Sequence, residues 1–66
     1  MQIYQLRSLV AIADAGSISG AARELGVSQP AVTRALRQLE IDVKATLVYR
    51  SSSGAVLTGY GTALVS

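Results

Sequence analysis

Apolar residues recur at helical spacing three times in the first two-thirds of the chain, and then the pattern changes to short extended runs. Ile3, Leu6, Leu9, Val10 and Ala13 form a stripe that predicts a helix over Ile3 to Ala15, closed by Gly16. A shorter helix is expected over Ser19 to Leu25. Ser17 suits its N-cap, because a hydroxyl oxygen there accepts a backbone N–H that has no partner within the helix. Gly26 suits its exit, since a residue without Cβ enters positive φ freely. Ile18 and Val27 are expected to tuck into the core from either end of this short helix. A third and longest helix opens at Ser28, a second cap candidate, and runs to about Val43. Pro30 falls in its first turn, where the missing N–H does least harm.

The third helix has two chemically different faces. At about 100° per residue, Leu36, Leu39 and Val43 lie within about 40° of Val32, and Ala35 joins them. Pro30, Arg34 and Arg37 lie about 140–200° away, with Thr33 beside them. One face is built for a core and the other for a polar partner. Ile41 falls about 180° from Val32 and is expected to be exposed, against a following helix, against a partner subunit or simply in solvent. The preceding helix carries Ala21 and Ala22, small enough for two helices to cross closely. A short helix, a glycine turn, a plug valine and a longer two-faced helix read as a helix-turn-helix whose second helix reads DNA. The competing reading is an amphipathic bundle helix with a solvated arginine face.

Beyond Val43 the run Leu47–Arg50, the turn cluster Ser51-Ser52-Ser53-Gly54 and the run Ala55–Thr58 predict a two-stranded hairpin, or wing. Thr58 is placed to cap a last helix starting near Gly59. The chain stops at Ser66, inside that helix, which suggests a piece of a longer protein.

Composition narrows the chemistry. In 66 residues half are apolar and 15% are charged, which argues for one folded domain and against disorder. With neither Phe nor Trp, the core must be aliphatic. The absence of Cys and His removes the disulfide, the cysteine nucleophile, the usual general base and the commonest zinc ligands. Glu40 and Asp42 diverge on a helix and share no substrate, so no enzyme is expected, and no cofactor or metal. The net charge of +2 permits nucleic-acid binding without requiring it. No apolar run is long enough for a membrane span and no secretory signal opens the chain, so the cytoplasm is the expected compartment.

The segment QLRSLVAIADAGSISGAARELGVSQPAVTRALRQLE, the Leu47 and Arg50 pair and LTGYG together resemble the N-terminal DNA-binding domain of LysR-type transcriptional regulators. The resemblance spans nearly the whole chain and is most specific between Ser17 and Glu40. It implies a mainly α, three-helix winged helix-turn-helix over residues 1–58, with a two-stranded wing and the start of a linker helix over residues 59–66. It implies double-stranded DNA with an interrupted palindrome as partner, a homodimer or homotetramer in the full-length protein, and a small-molecule effector bound by a C-terminal domain outside this chain. By position, Gln29, Pro30, Thr33 and Arg34 would read bases. Ser17, Ser19, Ser28 and Arg37 would meet the backbone, and Arg50, Ser51 and Ser53 would act from the wing. Gln29 has amide geometry suited to an adenine edge, and Arg34 suits a guanine edge or a phosphate.

Each assignment has a plainer alternative: Ser17 and Ser28 cap helices with or without DNA, and Arg50 is within sequence reach of Glu40 for an ion pair. Two residues depart from the family pattern. Lys44 stands where Gly usually follows the reading helix, so either the helix ends left-handed at a cost of about 1 kcal/mol or it ends otherwise and shifts the wing. Val48 stands for a common Phe, which implies thinner packing under the wing. A second functional reading is a helical interaction or dimerisation module without DNA binding, using Ile41 and the Ala63-Leu64-Val65 tail as its adhesive surface.

Overall fold

The computed structural model describes residues 1–66 and places helices α1 (Ile3–Ala15), α2 (Ile18–Leu25) and α3 (Gln29–Val43) before strands β1 (Val48–Ser51) and β2 (Gly54–Leu57) and helix α4 (Gly59–Val65). Its helix boundaries follow local signals. Ser17 Oγ accepts from Gly20 N–H at 3.0 Å, and Ser28 Oγ from Ala31 N–H at 3.3 Å. Helix α2 begins one residue earlier than expected, so Ile18 is both helical and half-buried against the core. Gly16 and Gly26 leave their helices at φ 75° and 70°, as their lack of Cβ allows.

Helix α3 ends in the same left-handed geometry although no glycine is there. Lys44 takes φ 57° and ψ 43°. Its N–H donates to Ile41 C=O at 3.3 Å, and Ala45 N–H donates to Glu40 C=O at 3.2 Å. These bonds satisfy carbonyls that the helix leaves open, and offset the roughly 1 kcal/mol that a Cβ costs in this region. The alternative helix ending, which would move the wing, is not adopted.

The core joins α1, α2 and α3 to the wing. Leu9, Ile12, Ala21, Ala22, Val32, Leu36, Leu39, Leu47, Val48 and Ala55 are buried in one cluster, and Val27, Leu25, Val43 and Leu57 pack on its edge. Ala21 is wholly buried, which is why α2 needs small residues where α1 and α3 crowd it. Val48 is buried too, so the smaller side chain still serves as the floor of the wing.

The stripe expected on α1 is rotated. Its buried residues are Ser8, Leu9, Ala11 and Ile12, whereas Ile3 is 75% and Val10 40% exposed and Ala13 lies outside. The helix is apolar around most of its circumference, so periodicity does not single out the face that meets the core. Ser8 enters the core because its hydroxyl donates to Tyr4 C=O at 3.0 Å and leaves no polar group unmatched.

The wing is a two-stranded antiparallel hairpin with Val48 opposite Leu57 and Ser51 opposite Gly54. Both strands sit one residue away from the expected positions. Leu47 and Thr58 still share one bond across the hairpin, Thr58 N–H to Leu47 C=O at 2.9 Å, but the Leu47 N–H turns to Glu40 Oε2 at 2.8 Å and the ladder ends there. The Thr58 hydroxyl accepts from Gly61 N–H at 3.1 Å and donates to Thr46 C=O at 2.7 Å. At the other end of the hairpin, Ala55 N–H donates to Gly16 C=O at 2.8 Å, which ties β2 to the end of α1.

Candidate nucleic-acid interface

The outer face of α3 carries Gln29, Thr33, Arg34, Arg37 and Gln38 on one helix. Its inner face is fixed by Val32, Ala35, Leu36 and Leu39, all buried, so the rotation of the helix is set by packing. That rotation brings Gln29, Pro30, Thr33, Arg34 and Arg37 together around one open concavity. Gln29, Pro30, Arg34 and Arg37 are exposed and Thr33 is half-buried. At about 1.5 Å per residue the helix is about 22 Å long, enough for its first turns to enter a groove while its last turns stand clear.

The same concavity includes Gln38 and Ile41. Gln38 was not among the residues expected at the site. The signal was present, because it stands one helical turn beyond Arg34 on the polar side of the count. Ile41 is 66% exposed and therefore has no cover from α4 within this chain.

The remaining expected residues divide by what they already do. Ser17 and Ser28 spend one acceptor direction on their caps, and each hydroxyl keeps a proton to donate elsewhere. Ser19 Oγ is exposed and lies 3.5 Å from Ser17 Oγ at the start of α2. At the tip of the wing Ser51 Oγ and Ser53 Oγ are 2.9 Å apart, and Ser53 N–H also donates to Ser51 Oγ. Ser51, Ser53 and Arg50 are exposed.

Arg50 does not pair with Glu40. The Glu40 carboxylate instead receives the Leu47 backbone N–H, which would otherwise be buried without a partner. The pairing that does form is between the Met1 amino group and Asp42, at 3.4 Å. Arg34, Arg37 and Arg50 therefore have no carboxylate partner, which leaves their charge available to an anion.

Comparison with known proteins gives the family and the fold. The family model for bacterial regulatory helix-turn-helix proteins of the lysR family matches residues 3–62. The small neutral protease regulatory protein of Streptomyces coelicolor is 51% identical over 61 residues, covering 92% of this chain and 19% of that protein. The crystal structure of a complex between the CbnR DNA-binding domain and DNA superposes with a TM-score of 0.94 at 42% identity, covering 98% of this chain and 75% of that one. Full-length CbnR complexed with its target DNA gives the same score and identity over 23% of its chain. This chain spans about a fifth of the length of the curated relatives it matches, 19% and 22% of the first two. No helix is long and apolar enough to cross a membrane. With the family model covering nearly every residue and the same fold recurring at substantial identity, the chain belongs to the lysR family of bacterial regulatory helix-turn-helix proteins.

Proposed function

We propose that residues 1–58 are the sequence-reading, DNA-binding head of a transcriptional regulator and that residues 59–66 begin its linker helix. The observation that carries this reading is the outer face of α3, where a rigid helix presents an amide, a proline and two arginines together. In a major groove Gln29 and Arg34 offer the bidentate geometries that match adenine and guanine edges, Pro30 offers apolar contact to thymine methyl groups, and Thr33 reaches a base or phosphate. Arg37, one turn further on, meets the backbone together with Ser17, Ser19 and Ser28. From the wing, Arg50, Ser51 and Ser53 would meet the minor groove or its phosphates. CbnR and its isolated DNA-binding domain, at 42% identity, were solved in complex with DNA, which supports DNA binding by this fold.

The interaction-module reading is weaker. Leu64 and Val65 of the tail pack against the core cluster, so much of the expected adhesive surface is already used within the chain. In the whole protein this head is expected to act in the cytoplasm as part of a homodimer or homotetramer on a two-fold site. A small-molecule effector would bind a further domain, and the head itself contributes binding rather than catalysis.

The test is a fluorescence-anisotropy titration against a duplex carrying an AT-rich interrupted palindrome and against a scrambled duplex, at several salt concentrations. Binding to both that weakens steeply with salt, and is tighter to the palindrome, is the expected result. Folded chain that ignores both duplexes at low salt overturns the reading.

A further inference from the structure

The outer face of α3 does not stop at Ile41. Arg37 and Ile41 also line a second groove, which continues past the end of the helix to Lys44 and Thr46. Three observations single out Lys44 in this groove. It is the only residue other than glycine with positive φ, in a position that glycine fills at Gly16 and Gly26. A side chain is thus held there against the backbone's preference. Its position is seven residues beyond Arg37, nearly two helical turns, so both cations lie toward the same side of α3.

The third observation concerns counter-ions. Glu40 lines the groove and keeps its charge, with Oε2 turned to Leu47 N–H at 2.8 Å, and Asp42 is engaged by the Met1 amino group. Neither forms an ion pair with Lys44 or Arg37. Both cations face solvent beside a free hydroxyl on exposed Thr46. Two cations and a hydroxyl donor without a protein acceptor match the oxygens of a phosphodiester. Lys44 itself does not match a base edge, because an ammonium is a compact charge without the planar fork that reads one.

We propose that Lys44, Arg37 and the Thr46 hydroxyl form a clamp for a DNA phosphate at the C-terminal end of α3, where the helix leaves the groove. The proposal rests on the DNA-binding reading above and adds a contact to it. Lys44 fixes register on the duplex and carries no sequence information. Its side chain adds affinity while its backbone lowers stability, and substitutions can separate the two.

The experiment compares the chain with Lys44→Gly, Lys44→Ala and Lys44→Arg. It uses anisotropy on the palindromic and scrambled duplexes over about 50 to 200 mM potassium chloride, with a thermal melt of each variant. Lys44→Gly and Lys44→Ala are expected to weaken binding to both duplexes alike, roughly two- to fivefold at low salt. The slope of log affinity against log salt should fall by about 0.9, the value of one phosphate. Lys44→Gly alone should also raise Tm, by about 4 °C, and Lys44→Arg should keep parental binding. Parental salt slopes in Lys44→Gly and Lys44→Ala, with Arg34→Ala still weakening binding, would overturn the clamp and leave the DNA-binding reading intact. Absence of salt-dependent binding by the parental chain would overturn both.

Discussion

Replacing Glu40 tests how the wing is joined to the reading helix. The Glu40 carboxylate is half-buried and accepts the Leu47 N–H at 2.8 Å, while Leu47 itself is 1% exposed. In Glu40→Ala that N–H loses its acceptor in a position water reaches poorly. A hydrogen bond to a charged group contributes about 1.5–3 kcal/mol, and partial exposure of the carboxylate argues for the low end, about 1.5 kcal/mol. For a domain of this size that lowers Tm by roughly 6–12 °C. Glu40→Gln keeps an amide oxygen for the same N–H and loses only the charge, so its cost should be about half as large.

The two substitutions also remove the carboxylate from the groove that holds Arg37 and Lys44. Glu40→Gln should therefore bind scrambled DNA somewhat more tightly at low salt while staying folded. Far-ultraviolet circular dichroism gives the melts, and amide hydrogen exchange at Leu47 reports the bond directly. If Glu40→Ala melts within about 2 °C of the parent and Leu47 exchange is unchanged, the wing is held by packing alone and the reasoning fails.

Thr58→Val removes a hydroxyl that is both donor and acceptor, leaving Gly61 N–H and Thr46 C=O unmatched near a buried position. A loss of about 2–3 kcal/mol is expected in urea denaturation, and a loss below about 0.5 kcal/mol would contradict it. Gly54→Ala forces a Cβ into φ 141° and against the Gly16 carbonyl, and should cost about 2 kcal/mol or more by thermal melt. An unchanged melt would show that the hairpin end moves freely away from α1. Arg34→Ala should relax discrimination between palindromic and scrambled duplexes by about 1–3 kcal/mol, whereas Arg37→Ala should weaken both equally. Equal losses from Arg34→Ala would reassign that residue to the phosphate backbone.

What the sequence revealed follows from the range over which each signal acts. Ser17, Ser28 and Thr58 were readable as caps because a cap is completed within three residues of chain, and the structure shows all three bonds. The faces of α3 were readable because apolar and polar side chains segregate cleanly on that helix, so one angle describes both its core and its candidate site. Helix α1 lacks that contrast. Ile3 and Val10 are as apolar as Leu9 and Ile12, and only the arrival of α2 and α3 selects the second pair for burial.

The one-residue shift of the wing has a similar origin. Alternation places Leu47 in a strand, but it does not show that a carboxylate seven residues earlier will take its N–H. The same carboxylate forms no ion pair with Arg50, so the strand boundary and the plainer alternative for Arg50 both turn on where Glu40 sits. Contacts between segments decide both the edge of the wing and the charge it presents. The candidate site is consequently sharpest in α3, where the proposed contacts share a single helix face. It is least defined from sequence at Lys44 and Arg50, where it depends on how that helix ends and what the next segment does with the charges left there.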